Sequence, residues 1–352
     1  MQVKFFDPGQ EYRNHKAELD AVWMDVMDRG DLILREDVKQ FEELLADVVG
    51  TKYAVGVNSG TDALFLALKA LGISEKHEVI TVSHTFKATL EAIARTGATP
   101  VLVDIGEDYL MDMNQVRKKI TKKTGAIVPV HLSGSVCNMV ELKRIIDGRD
   151  IKVVEDAAQA ICSGAGRYGD AGCFSFYPAK IWGACGDAGA ITTNNRDLAY
   201  KLKHMRNHGG WGYNCRLDNL QAAILVKKFQ WLPEAIKRRA EIAKIYDKKL
   251  IDLPVILPRK RKIYQDYVIR IMDRSWNAVS FKGAHKLNKF LGSSGIETLG
   301  YHLKPNHHDL GIKVSLPHTE KYARQFIRLP CNPTLTNRKV NYVANTIRQF
   351  YS

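Results

Sequence analysis

The sequence predicts an α/β protein, with one large domain on a mainly parallel sheet of seven strands and a smaller C-terminal α/β domain after it. Three observations predict this. Between about residues 53 and 193, short β-rich runs alternate with helical patterns, and strands separated by helices imply a parallel sheet covered on both faces. The 352 residues are 45% apolar and 26% charged, enough for one large core and one smaller. The charge also changes along the chain. Residues 251–352 hold 17 Lys and Arg against 6 Asp and Glu, which is +11 of the formal +14, while the first 250 residues are close to neutral.

The elements follow in order. Residues 1–50 predict two helices. In "EYRNHKAELDAVWMDVMDRG", Leu19, Val22, Trp23, Val26 and Met27 fall on one face, and "REDVKQFEELLADVVG" ends at Gly50, a helix-stopping residue. The period then shortens to that of strands in "YAVGV" (53–57), "EVITV" (78–82), "TPVLVDI" (99–105), "AIVPV" (126–130), "KVVED" (152–156), "CFSFY" (173–177) and "AGAITT" (188–193). A long basic helix over 233–252 closes the large domain, and "YQDYVIRIM" (264–272) opens the smaller one. The expected division is 1–245 and 246–352.

Composition removes several classes of function. No apolar run reaches about 18 residues and the N-terminus has no apolar signal region, so a cytoplasmic protein without a membrane span is expected. The six cysteines (Cys137, Cys162, Cys173, Cys185, Cys215, Cys331) form no C-x-x-C pair, which argues against a zinc site and a disulfide framework. A nucleic-acid partner is not expected, because the dense basic cluster "PRKRKIY" (258–264) lacks a recognition motif or interleaved stacking aromatics.

The chemistry gathers around a lysine. In "FSFYPAKIWGACGDAGA" (174–190) an alternating apolar run delivers Lys180 among Gly183, Ala184, Gly186, Ala188 and Gly189, small residues that leave room for a flat, bulky group within reach of the amine. A partly buried lysine amine attacks carbonyls, so a cofactor aldehyde is expected. In open parallel sheets ligands bind beyond the carboxyl ends of strands. After the first strand, Gly60 and Thr61 open a helix whose N–H groups suit a phosphate, and the same residues would serve as a plain N-cap. After "KVVED" come Asp156 and Gln159. A carboxylate so deep needs a cation or donors, for which a protonated pyridine nitrogen and the cap of a following helix are both candidates. Ser175, on the strand leading to Lys180, offers a hydroxyl.

Two motifs are set aside. "GAGRYG" (164–169) fits G-x-G-x-x-G but does not follow a strand that turns directly into a helix, so it predicts a loop and not a dinucleotide site. "NHHD" (306–309) clusters imidazoles without a second ligand group in sequence, and no metal is expected.

Taken together, "GTDAL", "VEDAAQ", "FSFYPAK…GDAGA" and "NCRLDNLQAAIL" resemble the pyridoxal-phosphate sugar aminotransferases of the DegT/StrS type, over about residues 4–350. The resemblance implies a fold type I transferase and pyridoxal 5'-phosphate as cofactor. It further implies that Lys180 binds the cofactor aldehyde and shuttles a proton, and that Asp156 partners the pyridinium. Gln159 would meet the ring hydroxyl and Phe86 would stack on the ring. Gly60, Thr61 and Ser175 would hold the phosphate, with Asn214 reaching in from a second subunit of a homodimer. Arg216 would hold the carboxylate of an amino donor, by family habit L-glutamate, and His302, His307 and His308 would line the pocket of a nucleotide-linked keto sugar. Ile181, Trp182 and Ser133 depart from the family pattern and would reshape that pocket. "NSGTDAL", with its Asp62, and "SHTF" resemble members that aminate carbon 3 rather than carbon 4. A lysine in place of histidine at 180 sets the chain apart from the dehydratase branch. A nucleic-acid-binding or regulatory protein that only retains the fold, a pyridoxal-phosphate enzyme of another reaction type and a plain amino-acid aminotransferase are the other expectations.

Overall fold

The computed structural model describes residues 1–208, 212–272, 281–300 and 304–352. A short helix α1 (Pro8–Asn14) is followed by α2 (Lys16–Arg29) and α3 (Glu36–Val49). Strands and helices then alternate as β1 (Tyr53–Val57), α4 (Gly60–Ala70), β2 (Glu78–Val82), α5 (Ala88–Arg95), β3 (Thr99–Val103), α6 (Met113–Lys119), β4 (Thr124–Ile127), α7 (Met139–Ile146) and β5 (Lys152–Asp156). β6 (Ala171–Ser175) and β7 (Gly189–Thr193) come next, then α8 (Arg196–Met205), α9 (Asn219–Phe229) and α10 (Leu232–Leu250). The remainder holds β8 (Val255–Ile256), β9 (Tyr267–Ile271), α11 (Phe281–Ser293), α12 (Asn306–Asp309), α13 (Pro317–Ala323), β10 (Phe326–Leu329) and α14 (Asn337–Tyr351).

Each of the seven predicted runs overlaps a strand of one seven-stranded sheet, in the order β1-β7-β6-β5-β4-β2-β3. The pairs β2–β3, β2–β4, β4–β5 and β5–β6 are parallel, as crossover helices require. β7 runs antiparallel to both of its neighbours, because a loop and not a helix leads into it from β6. The carboxyl ends of β1, β5 and β6 and the amino end of β7 therefore share one edge. α4 is buried along nearly its whole length, from Ala63 to Ala70, which its unbroken "ALFLAL" permits.

The chain divides into two compact units, His15–Leu232 on the one hand and Met1–Asn14 with Pro233–Ser352 on the other. This division differs from 1–245 and 246–352 because α10 belongs to the second core. Ile242, Ala243, Tyr246 and Leu250 of α10 cluster there with Tyr267, Ile269, Ile327, Val343 and Ile347, and Val3 joins them from the N-terminal segment. The second unit has its own three-stranded sheet, β10-β9-β8, so the expected α/β character of the small domain is present. No helix is long and apolar enough to cross a membrane among the described residues.

Two features lock the large unit. Trp182 is 1% exposed, packs edge-on against Phe41 and Phe176, and donates its Nε1–H to Leu225 O at 2.9 Å. It fills the core, so the expectation that Trp182 reshapes a substrate pocket is corrected. Buried Glu42 of α3 accepts from Gly56 N–H at 2.9 Å and from Arg206 Nη1, and pairs with Lys203 at 3.0 Å. Arg206 also donates to Gly56 O at 2.6 Å, so the pair ties α3, β1 and the end of α8 together.

Candidate active site

The shared edge of the sheet gathers most of the predicted residues. β1 ends in Asn58, and Ser59 caps α4 by accepting from Asp62 N–H at 3.1 Å. Gly60 and Thr61 occupy the first turn, where helical N–H groups have no partner within the helix. Ser175 ends β6 directly alongside, since a Cβ on Gly60 would come within 2.7 Å of the Ser175 Cβ. A Cβ on Gly189, the first residue of β7, would lie 2.3 Å from the Ser59 carbonyl carbon. Glycine at 60 and 189 is thus what lets the N-terminus of α4 sit over the β6–β7 edge, with N–H groups and a hydroxyl converging.

Lys180 lies in the β6–β7 loop, half-buried, its N–H bonded to Tyr177 O at 2.8 Å. The loop closes through Phe176 N–H to Ala188 O at 2.8 Å and Ala184 N–H to Phe176 O at 2.7 Å. Here the structure corrects the reason for the small residues. A Cβ on Gly183 would meet Pro178 O at 2.4 Å, and Ala184 and Ala188 are 2% and 1% exposed. Gly183 and Gly189 make room for the protein's own backbone, and the tight loop they permit fixes the root of Lys180.

Asp156 ends β5, 6% exposed. Its Oδ2 accepts from Thr89 Oγ1 at 2.7 Å and its Oδ1 from Ala158 N–H at 3.2 Å. Turns and not a helix follow β5, so Asp156 caps a single turn and the helix-cap alternative is removed. Gln159 Oε1 accepts from Ser133 N–H at 2.9 Å, which fixes the amide and leaves its Nε2 as the donor face. Ser133 is buried, with φ of 54°, the left-handed region that side chains seldom occupy. Phe86 precedes α5 and is 69% exposed, an uncovered aromatic in the same short segment as Thr89.

Behind Asp156 the neighbouring Glu155 points to the other face of β5. It is wholly buried, bonds His131 Nε2 at 2.8 Å, and accepts from the N–H groups of Gly166, Tyr168 and Gly169 at 2.7 to 2.8 Å. Cys137 N–H lies 3.1 Å from His131 Nδ1, so both ring nitrogens are engaged, Nε2 by Glu155. Burial opposes ionisation of Glu155, but His131 and the N–H groups outweigh it and hold the carboxyl below the usual range. The "GAGRYG" loop is therefore an anion cradle whose anion is the protein's own. Cys173, opposite Asp156 on β6, is held protonated by burial and by the two carboxylates beside it.

Arg216 forms an isolated bridge with Val57 beside the end of β1 and donates to Asn207 Oδ1 at 3.1 Å. Asn214 is exposed, bridged to Asn207. The histidines fare differently. His302 lies outside the described residues, and His307 and His308 sit on α12 of the second unit. His307 is 0% exposed and 3.4 Å from Glu320, so it has no surface to offer a substrate, which corrects its expected role. His308 is exposed. The ligating atoms of His307, His308 and Glu320 lie within 4.8 Å of one another, while Glu320 already accepts from Leu316 N–H at 2.9 Å. Thr85, Thr89 and Glu155 are residues at or behind the site that the sequence did not single out. The signal for Thr89 was its place in "SHTFKAT" beside Phe86.

A sheet with one reversed strand, entered through a lysine-bearing loop and faced by a helix N-terminus and a strand-end aspartate, is the plan of the fold type I aminotransferases. A crystal structure of the Streptomyces venezuelae protein DesV in complex with a ketimine intermediate superposes with a TM-score of 0.90, at 35% identity over 99% of this chain and 98% of the other. The chain belongs to the DegT/DnrJ/EryC1/StrS aminotransferase family, which residues 13–348 match. It is 37% identical to a dTDP-3-amino-3,4,6-trideoxy-alpha-D-glucose transaminase of S. venezuelae, over 99% of this chain and 96% of the relative. It is also 36% identical to a pleiotropic regulatory protein of Geobacillus stearothermophilus, over 100% and 99%.

Proposed function

We propose that the protein transfers an amino group from L-glutamate to a keto sugar carried on a nucleoside diphosphate, with carbon 3 of the sugar favoured over carbon 4, using pyridoxal 5'-phosphate. The observation that carries this reading is the donor set at one sheet edge. Helix N–H groups and the Ser175 hydroxyl suit a phosphate at one end, and the Asp156 carboxylate suits a protonated ring nitrogen at the other. That chemistry fits a phosphorylated pyridine aldehyde.

The residues then have distinct tasks. Gly60, Thr61 and Ser175 bind the phosphate, with Asn214 of a second subunit. Asp156 holds a proton at the ring nitrogen, and Gln159 donates its Nε2–H to the ring hydroxyl. Phe86 covers one ring face and excludes water. The bound cofactor supplies an electron sink for the pair left when a substrate C–H proton departs. Lys180 would be the attachment point for the aldehyde, and its amine would carry that proton from the substrate carbon and return it. Arg216 takes the carboxylate of the amino donor by a bidentate contact.

Preference for carbon 3 draws support from the S. venezuelae relative, which is named for a 3-amino sugar. Asp62 gives no direct support, because its carboxylate is engaged by Ser59 Oγ at 3.0 Å and Arg95 Nη1 at 2.8 Å. The name of the G. stearothermophilus relative favours a second reading, a regulator that keeps the fold. Visible absorption of the purified protein, before and after L-glutamate and then with matched 3-keto and 4-keto nucleotide sugars, tests both. A cofactor band that glutamate bleaches and a keto sugar restores, with the new amine at carbon 3 by NMR, is expected. Absence of any cofactor band favours the regulator.

A further inference from the structure

Two threonines stand behind the carboxylate of Asp156, and the direction of their hydrogen bonds can be read from chemistry alone. Thr89 is 1% exposed and lies 2.7 Å from Asp156 Oδ2. An ionised carboxylate only accepts, so the single Thr89 hydroxyl proton points at Asp156. Thr85 Oγ1 lies 2.6 Å from Thr89 Oγ1. With the Thr89 proton already spent, Thr85 must donate to Thr89. The result is a one-way chain, Thr85 to Thr89 to Asp156, in which each hydroxyl polarises the next. Phe86 stands between the two threonines in sequence, so one short segment supplies both the exposed aromatic and the support of the carboxylate.

We propose that Thr89, backed by Thr85, is a positioning residue that fixes the rotamer and the ionised state of Asp156 for the nitrogen of a pyridine ring. This rests on the cofactor reading given above. The physical need is plain, since a buried carboxylate oxygen that loses its donor is left unsatisfied and disfavours the charged form. Ala158 N–H engages only the other oxygen. Without Thr89 the carboxylate is free to turn, and the proton on the ring nitrogen loses a fixed partner.

The test uses Thr89→Val, which keeps the volume and removes the hydroxyl, Thr89→Ser, which restores it, and Thr85→Val at the half-buried second position. Three quantities are read: the dissociation constant of pyridoxal 5'-phosphate for the apoprotein, kcat and KM for L-glutamate, and the thermal midpoint. Thr89→Val is expected to raise the dissociation constant about tenfold or more, the worth of one hydrogen bond to a charged group, and to lower kcat about tenfold or more with KM within twofold. Thr89→Ser should return both to within twofold of wild type. Thr85→Val should move both in the same direction by less, and it carries the test if Thr89→Val does not fold. Wild-type behaviour of Thr89→Val overturns the proposal. Equal damage in Thr89→Val and Thr89→Ser with a lowered thermal midpoint overturns it as well, since that marks a packing role. Wild-type protein that binds no pyridoxal 5'-phosphate would sink the cofactor reading itself, a result distinguishable from the other two.

Discussion

Lys180 sits in a loop that backbone bonds close at Tyr177, Phe176 and Ala184, so the root that carries the amine is held by the main chain. Lys180→Ala is expected to keep its thermal midpoint within a few degrees and to lose transamination wholly. Borohydride reduction of the loaded wild type should lock the cofactor onto the peptide containing Lys180, and a trapped peptide with a different lysine contradicts the assignment. Asp156→Asn should still retain cofactor through the separate phosphate donors, while turnover of glutamate falls about a hundredfold or more, because a neutral amide no longer favours a protonated ring nitrogen. Near-normal turnover would leave Asp156 as a turn former only. Asp156 was legible in the sequence because a lone carboxylate at a strand end needs a chemical reason, and Lys180 because it stands among small residues after an apolar run. Thr89 was not, since the pairing of Thr89 with Asp156 is made by the fold. The small residues after Lys180 were visible as well, but their cause lay in backbone approach that only the tertiary structure reveals.

Strands and helices of the sheet were legible because period and chain order agree with one another, whereas the solvent faces of helices were less so. Trp23 and Met27 fall on the apolar stripe of α2 yet are 53% and 39% exposed in the single chain. The glycine-rich loop after β5 shows how far a motif carries. Its conformation was expected to be a loop and is one, but its occupant is Glu155. Gly166 combines φ of 85° with a Cβ position 2.3 Å from Phe174 Cζ, so Gly166→Ala is expected to destabilise the fold by about 2 kcal/mol or more, measured by urea denaturation. Glu155 adds a pH signature. Its folded pKa is depressed below the ordinary 4.5, so its contribution to stability is fully present above pH 4.5 and is lost as pH falls through the lower folded value. The thermal midpoint of wild type should therefore drop on acidification below about pH 4.5, and Glu155→Gln should show a lower midpoint at pH 7 and a flatter acid limb. Identical acid profiles would contradict the sign.

At the scale of the whole molecule, the proposed homodimer makes a mixing experiment decisive. Asn214 is exposed in one chain, and if it serves the neighbouring site, Asn214→Ala mixed with Lys180→Ala yields heterodimers with one doubly defective site and one intact site. Activity should return on mixing once subunit exchange is verified, and no return removes the shared-site role of Asn214. The charge bias of +11 in residues 251–352 predicts attraction of an anionic diphosphate substrate, so kcat/KM for the nucleotide sugar should decline from low to physiological salt while that for glutamate changes less.

The strand order also sets a timetable for biosynthesis. Among the described residues, β1 pairs within its sheet with β7 alone, although β1 ends at Val57 and β7 begins at Gly189. A ribosome adding about 5–20 residues per second exposes β1 on the order of ten seconds before its partner emerges. During that interval the apolar "YAVGV" has no ladder to join, and the N-terminal end of α4 has no floor beneath it. A nascent chain arrested before Gly189 should therefore remain open to protease at Tyr53–Val57, and one extended past β7 and clear of the exit tunnel should become protected there.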